Sequence, residues 1–328
     1  MDNNLDIIII TYNRSEQLEK TLLQFLRSPF VENRVVVIDN ASTDTTPEVC
    51  QRFANRFPRF EVVRNRLNIG GDANFLRAVE ASRATYTWVV CDDDTWDFSC
   101  AGQVLACIDN EQADAIMVGP VHPDGFETDQ ILGARALVEK GFWFHFSLSF
   151  FPAMIFKTRL FTSKSMIGGY RRIVDHYPNF AFIHHLFLSD VQVYLPSDNL
   201  VIRNENDISV LSPLEWYSSW VNCCWSIGEG KVRKQAVEHA TKKRGFVKCL
   251  MFWIALEKHI DPEHFGKKIG LLWLRLSLQR KFIFPLFLPV LLIKWPLNWL
   301  IAARQFIYKL MQVPDAQIPP VMVVDRDD

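Results

Sequence analysis

The chain has 328 residues, of which 49% are hydrophobic and 22% charged. It can bury a sizeable core in one large domain or two moderate ones, which excludes disorder as its main state. Lys and Arg total 36 against 37 Asp and Glu, a formal charge of -1, and this excludes a uniformly basic nucleic-acid binder.

Leu5 to Thr11 is a β-branched run that reads as a strand, followed by Tyr12-Asn13-Arg14. Ser15 is placed to cap a helix in which Leu18, Leu22 and Phe25 or Leu26 recur at helical spacing. Arg34 to Ile38 reads as a second, buried strand, the polar run Asp39 to Asp44 as a loop, and the residues through Phe53 as a second helix. Phe60 to Arg64 supplies a third strand, a Gly-containing loop opens a helix from about Asp72 to Arg83, and Tyr86 to Cys91 forms a fourth strand. The alternation predicts an α/β fold, a mostly parallel sheet with helices on both faces. After Ala115 to Val118 it fades into short strands and loops over 120–210, and from about Pro213 the pattern is helical. The boundary falls between a domain at 1–212 and a helical region at 213–328.

In such sheets a ligand lies beyond the carboxyl ends of the strands. The polar clusters Tyr12-Asn13-Arg14, Asp39 to Asp44, Asn65 to Asp72 and Asp92-Asp93-Asp94 all follow strands, so they converge on one rim. Three adjacent aspartates there concentrate negative charge that calls for a counter-ion. Their oxygen ligands suit Mg²⁺ or Mn²⁺, which can neutralise a departing diphosphate. A solvated acidic turn is the alternative reading.

Taken together, Ile7-Ile8-Ile9-Ile10-Thr11-Tyr12-Asn13-Arg14, Val37-Ile38-Asp39-Asn40-Ala41-Ser42-Thr43-Asp44, Asn68-Ile69-Gly70-Gly71 and Asp92-Asp93-Asp94 resemble the family 2 glycosyltransferases with a GT-A fold, over the first hundred or so residues. The resemblance implies a nucleotide-sugar site formed by Thr11, Tyr12, Asn13, Arg14, Asp39, Asn68, Gly70, Asp92 and Asp93, with Asp39 on the base. It places Asp92 and Asp94 as the outer carboxylates of a DxD signature and as the metal ligands. Tyr12 could stack on a base, an ionised Asp39 could accept from an imino N–H, and glycine lets backbone approach the ligand closely. As isolated residues they read equally as rim packing and turn formers. No GxGxxG or Walker loop follows the first strand, which sets aside a dinucleotide-binding oxidoreductase. A nucleotidyltransferase, too, would carry a Gly-rich basic phosphate loop at that point.

The family resembles one mechanism throughout, a single inverting displacement in which a carboxylate takes the proton of the acceptor hydroxyl. Its usual Glu-Asp pair is absent here. Asp175, in a polar segment after Gly168-Gly169-Tyr170, is the preferred base and Asp190 the other candidate. His176, His184 and His185 are further candidates for a metal or acceptor contact, and Arg203 for the diphosphate. The run Phe150 to Lys157 is similar to the family's acceptor-side strand, where a sugar would be expected to stack, and simple core packing also explains its aromatics. The missing pair also keeps open a non-catalytic GT-A-fold subunit of a polysaccharide assembly complex.

The near-zero charge conceals a split: residues 231–310 hold 16 basic and 4 acidic side chains, while residues 1–230 hold 19 and 29. Phe282 to Ala303 is long enough to span a bilayer by count, but Pro285, Pro289, Lys294 and Pro296 argue against one unbroken helix. An element lying in the membrane interface fits, with Trp295 and Trp299 at headgroup depth, and so does a helical pair packed on the catalytic domain. Seven cysteines without a CxxC pair and a polar acidic start suggest a reducing cytoplasm. The expectation is peripheral contact with the inner membrane face. Within the family, the opening Ile-Thr-Tyr-Asn-Arg and Cys-Asp-Asp-Asp are most similar to transferases of O-antigen and capsule assembly, abequosyltransferase-like members included. The implied partners are a nucleotide-diphosphate sugar and a glycan or lipid-linked glycan acceptor, not a nucleic acid.

Overall fold

The structure is a computed structural model that describes residues 4–119, 127–139, 150–173, 176–183 and 191–202, with four isolated positions further on. The chain divides into two compact units, Met1–Asn204 and Glu205–Asp328. Asp175, Asp190, Arg203, His184, His185 and the apolar run at 282–303 lie outside the described residues.

The first unit opens with β1 (Leu5–Thr11), α1 (Ser15–Leu26), β2 (Arg34–Asp39), α2 (Thr46–Phe53), β3 (Phe60–Arg64), α3 (Gly71–Ala81) and β4 (Tyr86–Cys91). It continues with β5 (Thr95–Trp96), α4 (Ala101–Asp109), β6 (Ala115–Met117), β7 (Gln130–Gly133), α5 (Ala134–Glu139), β8 (Met154–Lys157), α6 (Ser163–Arg171), β9 (Gln192–Leu195) and β10 (Val201–Ile202). Eight of these strands form one sheet in the order β3-β2-β1-β4-β8-β6-β9-β7. β3, β2, β1 and β4 run parallel, β8 is antiparallel to β4 and β6, and β7 is antiparallel to β9. β5 and β10 pair separately.

Parallel central strands covered on both faces must be apolar at every position, and the run of four isoleucines in β1 meets that demand. Leu5, Ile7 and Ile9, with Val35, Val37, Trp88 and Val90, face a core completed by Leu18, Leu22 and Phe25 of α1, Val49 and Phe53 of α2, and Val104 and Ile108 of α4. Ile8, Val36, Ile38 and Val89 face the opposite layer, where Phe75, Leu76 and Val79 of α3 meet Phe182. Each fully buried aliphatic side chain of this kind contributes about 1.5–3 kcal/mol.

β4 carries the aspartates at its end and is pinned near its middle. Trp88 is fully buried, its indole N–H donates to Pro152 O at 2.9 Å, and its ring meets Phe25, Phe30 and Trp96 at centroid distances of 5.8, 5.5 and 5.3 Å. One expectation about α1 is corrected. Ser15 lies inside the helix, Arg14 occupies the N-cap without a side-chain cap bond, and the Ser15 amide donates instead to Asp44 Oδ2 at 3.0 Å. A carboxylate from the next loop has taken the capping role, a long-range partner that local spacing does not reveal.

Candidate active site

The ends of β1, β2, β3 and β4 lie side by side in the sheet, so the loops that leave them form one rim. Asn13 adopts a left-handed backbone, φ 51°, which its short amide side chain tolerates. Its N–H donates to Ser42 Oγ at 2.9 Å and its Oδ1 accepts from Thr43 N at 2.7 Å. The loops after β1 and β2 are thereby stitched together. Asp39, at the end of β2, is almost fully buried. Its Oδ1 accepts from Ser42 N at 2.8 Å, and its Oδ2 pairs with Arg64 at the end of β3. Arg64 also donates to Ser42 O at 2.6 Å. A ligand N–H approaching Asp39 would therefore meet a carboxylate already oriented by two internal partners.

Asn68 and Gly70 belong to an amide network. Asn40 donates to Asn68 Oδ1 at 2.7 Å and accepts from Asn65 Nδ2 and the Ile69 amide, while Asn65 also reaches Asn74 Oδ1. Asn74 in α3 donates to Ile38 O, and Gly70 N donates to Asn68 Oδ1. Gly70 caps α3 with φ 82°, a conformation that glycine adopts without steric cost. The amino end of α3 is thus held at the rim. Tyr12 is 40% exposed there, available for stacking.

The three aspartates divide their roles. Arg14 Nη1 lies 2.5 Å from Asp93 Oδ2 and 3.5 Å from Asp92 Oδ1, so the loop after β1 brings a positive charge to the acidic run. Asp92 is buried, and its backbone carbonyl accepts from Thr21 Oγ1 at 2.9 Å. Burial pushes its carboxyl up to about 7; Asp93 adds to the rise, while Thr11 and Arg14 oppose it. The Thr11 hydroxyl lies beside this carboxyl, yet neither Thr11 Oγ1 nor Asp92 Oδ2 makes a hydrogen bond of good geometry among the described residues. A buried acceptor in that condition suits a cation or a hydroxyl donor.

Ligand atoms of Cys91, Asp93 and Asp94 all lie within 4.8 Å of one another. Their spacing and the two hard carboxylates fit a divalent ion. Asp94 and Asp92 are the expected metal ligands; Asp94 belongs to this group, whereas Asp92 is drawn toward Thr11 and Arg14. Cys91 completes it, its thiol pushed well up by burial and by the three aspartates.

All the rim residues named from sequence, Thr11, Tyr12, Asn13, Arg14, Asp39, Asn68, Gly70, Asp92, Asp93 and Asp94, stand on the loops or strand ends of this rim. Asp175 lies outside the described residues, but its neighbour His176 is placed: His176 Nδ1 lies 2.9 Å from Asp72 Oδ2 in the first turn of α3. The aromatic run expected to carry a sugar packs inward instead, with Phe151 4.3 Å from Phe75 and Phe156 against Phe161. Arg64 and Asn74 escaped the sequence reading, and Asn40 and Asn65 stood in its rim loops without being named as site residues. Their one signal was position, since each stands at or just beyond a strand end or opens a helix.

The sequence profile described as glycosyl transferase family 2 matches residues 6–178, more than half of the chain. Abequosyltransferase RfbV of Salmonella typhimurium is 36% identical over 95 residues, covering 27% of this chain and 28% of that protein. Local matches of this kind span little more than a quarter of the relatives' own length. Glycosyltransferase GlyG of Streptococcus pneumoniae is 22% identical over 238 residues, 67% of this chain and 76% of that one. Mannosyltransferase PcManGT from Pyrobaculum calidifontis, solved with GDP-Man and Mn²⁺, superposes with a TM-score of 0.52 at 14% identity, covering 95% of this chain and 88% of that chain. That likeness establishes a shared fold. With the profile running from β1 through every rim loop to the segment that pairs with α3, the chain belongs to glycosyl transferase family 2.

Proposed function

We propose that this protein moves a sugar from a nucleotide-diphosphate sugar to a glycan or lipid-linked glycan acceptor in cell-surface polysaccharide synthesis. The carrying observation is the meeting of Arg14, from the loop after β1, with Asp92 and Asp93 beyond β4, on the rim where Asp39 closes β2. Tyr12 and the Asn68–Gly70 loop hold the nucleoside. Asp39, fixed by Arg64, presents its remaining lone pairs to the base. Asp94 and Asp93, with Asp92 beside them, would hold Mg²⁺ or Mn²⁺, which when bound neutralises charge on the diphosphate leaving group. Arg14 then shares its guanidinium between the carboxylates and a phosphate oxygen. The displacement inverts the anomeric centre and needs a base on the acceptor side.

A thermal-shift screen of nucleoside diphosphates and nucleotide sugars, with and without Mn²⁺, tests this. A ligand at a hundred times its Kd stabilises the folded state by about 2.7 kcal/mol, so one nucleotide class should raise Tm by several degrees, and more with the ion. Asp94→Ala should keep its fold, judged by circular dichroism, and lose the Mn²⁺-dependent part of the shift together with turnover. Full turnover in that variant removes Asp94 from the site. A chain that binds no nucleotide under any condition is instead a non-catalytic assembly subunit.

A further inference from the structure

We infer that Thr21 of α1 is a positioning residue for the acidic run, holding the backbone from which Asp93 and Asp94 reach an ion; this rests on the glycosyltransferase reading above. Thr21 lies in the apolar stripe of α1 with Leu18, Leu22 and Phe25, and is 1% exposed. A hydroxyl buried in such a place costs free energy unless it is hydrogen-bonded. In a helix it can bond the carbonyl one turn back. Thr21 Oγ1 donates across to Asp92 O at 2.9 Å, on a residue 71 positions further along the chain.

The place of that bond decides its effect. Ile10 opposite Cys91 is the last pair between β1 and β4, so at Asp92 the chain leaves the ladder that has fixed its direction. The peptide group is planar, and anchoring the Asp92 carbonyl fixes the plane that also carries the Asp93 N–H and both flanking Cα atoms. Asp92 and Asp93 leave from the two ends of that plane and Asp94 from the next one. The aim of all three carboxylates therefore depends on a carbonyl that Thr21 holds.

α1 meets the same segment at further points. Arg14, at its N-cap, reaches the carboxylates of Asp93 and Asp92. Gln24 Oε1 accepts from Trp96 N at 3.4 Å, and the Phe25 and Trp96 rings lie 5.0 Å apart. Seven residues make about two helical turns, so Arg14 and Thr21 share a face, and Gln24 and Phe25 follow three and four residues on. The acidic run is thus bracketed by one helix: Thr21 holds its first carbonyl, Gln24 and Phe25 hold Trp96, and Asp93 and Asp94 stand between, converging with Cys91. Removing a group that orients metal ligands from behind typically weakens ion binding about 10–100-fold.

The test compares Thr21→Val, Thr21→Ala and Thr21→Ser in the full chain. Binding of Mn²⁺ is read from the EPR signal of the free ion, with UDP or GDP present, and folding from circular dichroism. Valine keeps the branched shape and removes the hydroxyl, alanine removes it without β-branching in the helix, and serine keeps it. Thr21→Val and Thr21→Ala should bind Mn²⁺ about tenfold or more weakly, and Thr21→Ser within about twofold of wild type. Nucleotide affinity without metal, by calorimetry, should stay within about twofold in all three, because the nucleoside is held from β2 and the loops after β1 and β3.

Unchanged Mn²⁺ affinity in the two hydroxyl-free variants, an equal loss in Thr21→Ser, a matching loss of metal-free nucleotide affinity, or failure of both hydroxyl-free variants to fold each overturns the assignment. The hydroxyl would then serve the fold alone. In all of those outcomes the wild-type chain still binds Mn²⁺ with the nucleotide. A wild-type chain that binds no ion with either nucleotide removes the metal-assisted donor reading itself, whatever the variants do.

Discussion

Asp39 commits both carboxylate oxygens within the protein, one to the Ser42 amide and one to Arg64. Its side chain is 2% exposed and that of Arg64 46%, so one charge is sheltered while the other faces water. Removing one partner of a fully buried pair costs about 3–5 kcal/mol because the survivor is left uncompensated. Solvent at the guanidinium reduces that figure, and Arg64→Ala should cost about 1–2 kcal/mol in urea unfolding. Nucleotide affinity should fall with it, because Asp39 would rotate away from the geometry that Arg64 and Ser42 impose. A variant with full stability and unchanged affinity would show that the pair is ornamental to the site. Asp39 was legible in the sequence because it ends an apolar strand and opens a polar loop. Arg64 was not, because its role exists only once β2 and β3 align in register, Asp39 opposite Arg64.

At the level of elements, local periodicity located β1, α1, β2, α2, β3 and β4, since each carries its apolar residues at strand or helix spacing. The later strands were less legible. β8 inserts antiparallel between β4 and β6, and a four-residue apolar run carries no mark of its direction or neighbours. The start of α1 was misplaced because its cap comes from 29 residues away. Asp44 accepts from the first residue of α1, Ser15 N, and from that of α2, Thr46 N, each at 3.0 Å. One carboxylate therefore serves two helix amino ends, where negative charge is favoured. Burial pushes its pKa up, but hydrogen bonds from Thr46 and Ser15 outweigh that and hold it below the usual aspartate value. Asp44→Ala should lower stability by about 1–2 kcal/mol, the cost of a lost cap. The folded-state pKa lies below the unfolded one, so this stabilisation is present above the unfolded value of 3.8 and is lost as pH falls through the folded value. Thermal unfolding of wild type and variant should differ by a constant margin near neutrality and converge below about pH 4. A margin that stays constant through that range would mean that the loop acts by its shape alone.

For the whole molecule, composition separates two characters that the total charge conceals. The family profile covers residues 6–178, in the acidic part, while the excess of 16 basic over 4 acidic residues between 231 and 310 sits beyond it with many aromatic neighbours. Among the described residues no helix is long and apolar enough to cross a membrane. A basic, aromatic segment can still bind an anionic surface, each Lys or Arg near it contributing about 1 kcal/mol at low salt. A lipid-linked acceptor would make such contact useful, since it raises the concentration of the enzyme where the acceptor lies. The full chain should therefore cosediment with vesicles containing phosphatidylglycerol and leave them as salt is raised from about 0.05 to 0.5 M, where screening shortens the electrostatic reach to a few ångströms. Vesicles of phosphatidylcholine alone should retain little of it. A chain ending at residue 281 should keep its nucleotide-dependent thermal shift but lose much of the vesicle binding, because it lacks the apolar run at 282–303 while retaining most of the basic charge. Binding that ignores both lipid charge and salt would place the basic third in contact with protein rather than lipid.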